Sequence, residues 1–222
     1  MESGTSTLRR SDAIADLDRT LLSLQDQGMF GEKPSARADM TSGALYAVTG
    51  KSDWIYYGQV TPEKKVGFFC QRDRRPGGVD VVLAAPVMAV ISVGYPSITR
   101  ALRTGVWKKL GRFPIVAELV APRPSVQWPV GTLAVTVWVG DGPDRDTRVD
   151  DPAIQEMELM AVWDAVEHIP ARLTADFGAE EAEWHVGGPI WRERRVKEEM
   201  AVRFADRPSH KLPADWVPAN IR

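Results

Sequence analysis

Cys70, three histidines and a run of aspartates are the residues whose types could do chemistry in this chain. A cysteine nucleophile needs a base beside it, and His168, His185 and His210 all lie far from Cys70 in sequence. Cys70 therefore reads as a small buried hydrophobe at the end of a strand. The histidines show neither H-x3-H nor mixed His/Cys spacing, which argues against a zinc site. Asp141, Asp144, Asp146, Asp150 and Asp151 supply the oxygen-only ligands that suit calcium. Their spacing misses the D-x-[DN]-x-[DN]-G loop, however, and Arg145 and Arg148 sit among them. The expectation is a solvated hairpin, with a second use open to it as a charged patch facing a basic partner. Glu156 and Glu158 would point about 200° apart on a helix, which is wrong for a paired-carboxylate site. Glu158 interrupts an apolar face and so calls for a cation, in a helix-to-sheet ion pair.

Tryptophan is the compositional oddity, with eight in 222 residues. Trp54, Trp107, Trp128, Trp138 and Trp163 fall on or beside expected elements and read as core. Trp184, Trp191 and Trp216 lie in a polar stretch near charged residues, the setting of contact hot spots or of anchors that pin a tail. Arg192, Arg194, Arg195 and Lys197 alternate with Glu193, Glu198 and Glu199, which reads as a solvated mixed-charge face.

These residues must be held by a chain long enough for one full domain with appendages. The 28 basic and 30 acidic residues leave a net charge of −2, so no global argument for nucleic-acid binding exists. A single cysteine allows no intrachain disulfide. The opening MESGTSTLRRSDAIADLDR has no apolar core of signal-peptide type. The longest apolar stretch, 81–93, is broken by Pro86 and too short to span a bilayer. A soluble cytoplasmic protein without a membrane or nucleic-acid partner is expected.

Residues 11–28 suggest an amphipathic helix: Ile14, Leu17, Leu21 and Leu24 share a face, Ser11 caps it and Gly28 ends it. That face must be covered by its own body or by a second copy, in a homodimer through this helix. A turn-rich linker follows over 31–43. Then GALYAVTG, WIYYGQV and VGFF read as three strands of a meander, joined by turns at 50–53 and 61–64. The 81–93 run is a buried strand or a helix, which periodicity cannot decide. Phe113 and Ile115 lie on an extended piece, and 133–139 reads as a strand. Asp151-Pro152 reads as the start of a helix whose apolar face runs through Ile154, Met157, Met160 (or Ala161), Val162, Trp163 and Val166. Pro170 breaks it, and Leu173 and Phe177 continue to Gly178. The expected fold is α+β: a strongly bent antiparallel sheet, or partial barrel, packed against helices, with an extra N-terminal helix and a wrapped C-terminal tail. The expected organisation is 1–42, helix and linker; 43–178, the main domain; 179–222, an extension packed on it.

Several strings in order carry a resemblance. They are Gly43-Ala44-Leu45-Tyr46-Ala47, Tyr57-Gly58-Gln59-Val60, Gly67-Phe68-Phe69, and Trp107-Lys108-Lys109-Leu110-Gly111-Arg112-Phe113-Pro114 with Glu118-Leu119 behind. Met157-Glu158-Leu159-Met160-Ala161-Val162-Trp163, Glu167-His168 and Arg172-Leu173 leading to Phe177 complete the set. In these residues the chain resembles the bacterial immunity protein 26 (Imm26-like) family of polymorphic toxin systems. The resemblance covers about 43–178. It implies a protein that binds a cognate toxin and blocks it, with no catalysis and no cofactor. Gly43, Tyr57, Gly58, Phe68, Trp107, Gly111, Pro114, Glu158 and Trp163 would then be structural positions. Asp141, Asp144, Asp146, Asp150, Trp184 and Trp191 are the expected toxin contacts, the aspartates suiting the basic active site of a toxin that acts on nucleic acid. The stretches 1–42 and 179–222 extend beyond the family's usual span, and either could cover or form the binding surface. A second reading is a small β-barrel module that binds nucleic acid or peptide through Trp54, Tyr56 and Tyr57. A third is an enzyme using Cys70 or His168.

Overall fold

Short turns between β-forming runs decide the first half of the molecule. The computed structural model describes residues 34–177 and 188–219. The helix read over 11–28, Trp184 and His185 lie outside them. A one-turn helix, α1 (Ala36–Asp39), leads into β1 (Ala44–Thr49), β2 (Ile55–Val60) and β3 (Val66–Asp73). These pair antiparallel as a meander, with Tyr46 opposite Gly58 and Gly58 opposite Phe68. The turns at 50–53 and 61–64 close them, as the sequence predicts. The 81–93 run then divides at Pro86 into α2 (Val79–Ala84) and β4 (Val87–Val93). Proline has no N–H to continue a helix, and its carbonyl accepts the Cys70 N–H at 2.7 Å instead.

A helix not expected from periodicity follows, α3 (Tyr95–Thr104), with Pro96 in its first turn and Gly105 after its last. Next comes β5 (Trp107–Arg112), antiparallel to β1. The second half begins with β6 (Ser125–Gln127), β7 (Ala134–Val139) and β8 (Gly142–Arg148). Then come β9 (Glu158–Leu159), β10 (Val162–Trp163), α4 (His168–Phe177) and α5 (Pro189–Arg203). They make two sheets, ordered β10-β4-β3-β2-β1-β5 and β8-β7-β6-β9. The first curls strongly into a half-barrel with helices against it, so the α+β architecture holds. Register shifts in the β1–β5, β2–β3 and β3–β4 ladders supply the bend. The second sheet is not foreseen in the sequence beyond the strand over 134–139 and its hairpin.

Both faces of the first sheet are covered. Tyr46, Val48, Tyr56, Phe68, Ile91 and Trp107 face one core, shared with Ile98 of α3 and Ile169 and Leu173 of α4. Leu45, Ala47, Tyr57 and Phe69 face another, sealed by Val82 of α2 and by Leu119. A third core joins Val126, Val135 and Val137 of the second sheet to Ile154 and to Ile190 of α5.

The helix expected from Asp151 does not form. Asp151 caps only a single 3-10 turn, Pro152–Ile154, by accepting the Ala153 N–H at 2.8 Å. The chain then extends, and Met160 and Val162, expected on an apolar helical face, are 51% and 75% exposed. Strand pairing with two open sheet edges wins over helical periodicity here. The helix begins later, where the Asp164 carboxylate accepts the Val166 and Glu167 N–H groups at 2.8 and 2.9 Å. Pro170 therefore sits in the first turn of α4, where its missing donor costs nothing, and does not break a helix. The 188–219 stretch is likewise more regular than a wrapped tail: α5 fills 15 of its residues. No helix among the described residues is long and apolar enough to cross a membrane.

Gly67 offers a sharp test of this packing. The Leu119 side chain rests where a Cβ at Gly67 would stand. Gly67→Ala should destabilise the fold by about 1–3 kcal/mol, the usual cost of overpacking a core. In the double variant with Leu119→Ala, the two losses should sum to less than their separate values in urea unfolding.

Candidate functional site

The six residues Glu158 to Trp163 run from one sheet to the other. Glu158 and Leu159 pair parallel with Ser125 and Val126 of β6. Val162 and Trp163 pair parallel with Ser92 and Val93 of β4. The Met160 N–H also donates to the Val126 carbonyl, and the Gly94 N–H to that of Trp163, at 2.8 and 2.9 Å. This strap is the M-E-L-M-A-V-W string of the sequence.

Its side chains are fixed from α4. Arg172 Nη2 meets Glu158 Oε1 at 2.6 Å and Arg172 Nε meets Asp176 Oδ2 at 3.3 Å. Its guanidinium also lies 4.7 Å from the Trp163 ring centre, and Arg192 of α5 pairs with Asp176 in turn. Burial works against the Arg172 charge, yet Glu158 and Asp176 outweigh it and hold the guanidinium pKa above its usual value. The ion pair foreseen for Glu158 thus exists with the elements exchanged: the carboxylate is on the strand and the cation on the helix. Arg194, expected on a solvated face, is buried and donates to Gln155 Oε1 and the Val217 carbonyl at 2.8 and 2.7 Å.

The loop after the strap is held as firmly. Trp107 Nε1 donates to the Ala165 carbonyl at 3.0 Å, and the Ala165 N–H donates to Ser97 Oγ at 2.9 Å. The Ser97 hydroxyl itself donates to the Gly94 carbonyl at 2.7 Å. Beside this loop an open cleft of about 340 Å³ is lined by Ser97, Arg100, Trp163, Asp164 and His168. Arg100 pairs with Asp164 at 2.9 Å, and His168, exposed, meets Trp163 edge-on.

The other residues of the ordered strings lock both faces of the first sheet. Gln59 is fully buried; it donates to the Pro114 carbonyl at 3.0 Å and accepts the Val116 N–H at 3.1 Å. This pins 114–116 over the sheet. Gly43 has a φ of 85°, and a Cβ there would run into the Phe113 carbonyl. Gly111 stands at the β1–β5 bulge opposite Leu45. Phe68 meets Trp107 edge-to-face at 6.2 Å. The Tyr57 hydroxyl donates to Asp73 Oδ2 and accepts the Gly77 N–H, both at 2.8 Å. Burial raises the phenol pKa, with Asp73 adding to it and the Gly77 bond opposing.

The expected toxin contacts fare unevenly. The 140–151 segment is a hairpin strand, and most of its acid is engaged locally. Asp144 pairs with Arg145 at 3.6 Å, Asp150 with Arg148 at 3.1 Å, and Asp146 accepts the Thr136 hydroxyl at 2.7 Å. Arg148 pairs with Asp215 as well, at 3.0 Å. Asp141 is exposed and makes no ion pair with a described residue. Trp191 is only 7% exposed, so it anchors α5 and is not displayed as a contact. The run is an edge strand with interspersed charge, a device that discourages stray strand pairing.

Other expectations are corrected as well. Cys70 is exposed, because it lies on β3 past the covered stretch. Tyr56 and Tyr57 are fully buried, so they cannot present rings to a nucleic acid or peptide. Among the described residues no group of three or more His, Cys, Asp or Glu could hold a metal ion. A feature the sequence reading missed lies at the open end of β2 and β3, where Arg72 and Arg74 stack on Trp54. The R-D-R-R string after a strand, with a tryptophan before its partner strand, was its only signal. Comparison with known proteins returns no matching family model, no matching curated protein and no matching solved structure.

Two measurements check the strap. Arg172→Met should cost about 3 kcal/mol in urea unfolding, since it leaves the half-buried Glu158 without its cation and Asp176 with Arg192 alone; Glu158→Gln, which keeps a hydrogen-bond acceptor, should cost about 1–2 kcal/mol. Asp164 contributes an acid dependence beside the strap. The Glu167 N–H, against burial, and then the Val166 N–H and Arg100 hold its carboxyl below its ordinary value of 3.8. A depressed carboxyl contributes stability that is complete above its unfolded pKa and lost as pH falls through the folded one. Asp164→Asn should therefore lower Tm at neutral pH and make Tm less sensitive to acidification below about 3.8.

Proposed function

We propose that this chain is an immunity protein that binds a cognate bacterial toxin in the cytoplasm and neutralises it by occluding its active site. The reading starts from the ordered strings given above. The observation that carries it is their convergence: Gly43, Gln59, Trp107, Pro114, Glu158, Trp163 and Arg172 come from distant parts of the chain. They meet in two bonded sets on opposite faces of the first sheet: Gln59 holds Gly43 and Pro114, and Trp107, Trp163, Glu158 and Arg172 join around the strap and the loop after it. Strings that serve buried lattices of this kind are what a shared fold leaves in a sequence.

Such a lattice suits a blocker. Occlusion needs a surface already in its bound shape, since ordering side chains and loops on contact lowers affinity. The strap, held by both sheets and by α4, keeps the two halves in fixed register. The protein then acts by shape and charge match, with no reaction of its own and no cofactor.

The test is co-expression with the product of the gene adjacent to this one. A stable complex on size exclusion and restored growth of cells expressing that product are the expected results. A neighbouring product that is harmless alone and forms no complex would overturn the proposal.

A further inference from the structure

Three arginines stand within four positions at the end of β3: Arg72, Arg74 and Arg75. Arg74 and Arg75 are exposed, Arg72 is half-buried, and none forms an ion pair with a described residue. Strand alternation puts Arg72 and Arg74 on one side. Asp73 faces the other, taken by the Tyr57 hydroxyl at 2.8 Å and by Gln71 at 3.0 Å. The guanidinium carbons of Arg74 and Arg72 lie 3.9 and 4.4 Å from the Trp54 ring centre. Arg72 also lies 5.3 Å from the Phe177 ring.

The turn before Trp54 is shaped around this stack. Ser52 and Asp53 adopt left-handed backbone, with φ of 53° and 58°, and the Ser52 carbonyl accepts a hydrogen bond from Arg74 Nη1. Left-handed backbone at two non-glycine residues is uncommon and costs free energy, so something must hold it. The Gly50 N–H closes the turn on the Trp54 carbonyl at 2.7 Å. Asp53 is exposed and pairs with none of the three arginines.

Stacking occupies the flat face of a guanidinium and leaves its N–H edge for anions. Guanidinium groups already held on a ring lose less side-chain freedom when a partner arrives. Any surface that covers them must bring negative charge, because burying unpaired cations is costly. We infer that Trp54, Arg72, Arg74 and Arg75 form the docking surface for a carboxylate-rich face of the partner protein. This deepens the immunity reading and rests on it.

A nucleic acid fits less well. The Trp54 ring is already covered by guanidinium groups, so it offers no open platform for a base. Backbone binding relies on many phosphate contacts, whereas the chain carries a net charge of −2. A local carboxylate patch needs only these side chains, and Arg and Trp are the residue types that dominate protein contact energies.

The test titrates fluorescein-labelled hexaglutamate into the full-length protein at low ionic strength, followed by anisotropy, with labelled oligothymidylate of equal charge alongside. Hexaglutamate should bind the more tightly of the two. Arg74→Glu should weaken it about tenfold or more, Arg74→Lys by an intermediate factor, and Arg203→Glu on α5 by less than about twofold. Unchanged Tm shows that these exposed variants fold. Tighter binding of oligothymidylate, or an equal loss in Arg203→Glu, overturns the inference. Where the neighbouring toxin forms a complex, Arg74→Glu should weaken it by a similar factor. A complex that is unaffected overturns this surface and leaves the immunity reading standing. Loss of the immunity reading shows differently, as no complex with that toxin while hexaglutamate binding and its Arg74 dependence persist, which supports the surface.

Discussion

Arg172 is a charge taken out of water, and its accommodation fixes the relation between the strap, α4 and α5. An isolated guanidinium in that position would be prohibitive, since desolvating an ion costs several kcal/mol even after relaxation. Glu158 supplies one carboxylate from the strap and Asp176 another from the same helix. Asp176 is itself shared with Arg192 of α5. The Trp163 ring covers the guanidinium face. Glu158 and Trp163 lie on the strap, Asp176 on α4 and Arg192 on α5, so the network around one cation sets the mutual position of three elements. A well-packed apolar cluster could supply as much stability, but it would specify that position less sharply.

The strap explains why helical periodicity misleads over 152–166. Ile154, Met157, Met160 and Val166 do recur at helical spacing, yet a helix there would leave β4 and β6 with unpaired edges. Extended backbone satisfies both edges with one short segment, first along β6 and then along β4. The parallel pairings are only two residues each, too short to stand alone. They persist because Glu158 and Trp163, one at each end, are both tied to Arg172.

What was legible in the sequence follows from the range of the forces involved. The meander over 44–73 is local: alternation, tight turns and β-forming residues dictate it with little help from afar. The split of 81–93 at Pro86 and the helix over 95–104, framed by Pro96 and Gly105, were also written locally, in punctuation outweighed by periodicity. The second sheet was not, because β6 and β9 are three and two residues long and exist only through long-range pairing. The burial of Trp191 and Arg194 was equally hidden. A charged helix reads as solvated until its partners, here Gln155 and the 217 carbonyl, are known. Of the candidate site, the Glu158 ion pair could be foreseen from the cost of a buried carboxylate. The arginine stack on Trp54 could not, because it joins the open ends of the β2–β3 hairpin past a register shift between Tyr56 and Gly58 that local alternation does not announce.

The ordered strings and the displayed chemistry separate in space. Nearly every string residue with a defined role is turned inward: Tyr57 and Gln59 under the 113–119 segment, Trp107 under α4, and Glu158 against Arg172. Substitution at these positions would disturb the fold before it altered any contact. The outward chemistry sits instead at the hairpin end around Trp54 and Arg74 and along the β8 edge, where neighbouring residues are solvent-exposed. Along the β8 edge such positions can vary at small cost to stability, since exposed changes away from caps, cores and strained backbone usually shift it by only about 0.5 kcal/mol. Under the proposed immunity role, a rigid interior with a mutable rim would let one fold be re-aimed at successive toxins without being rebuilt.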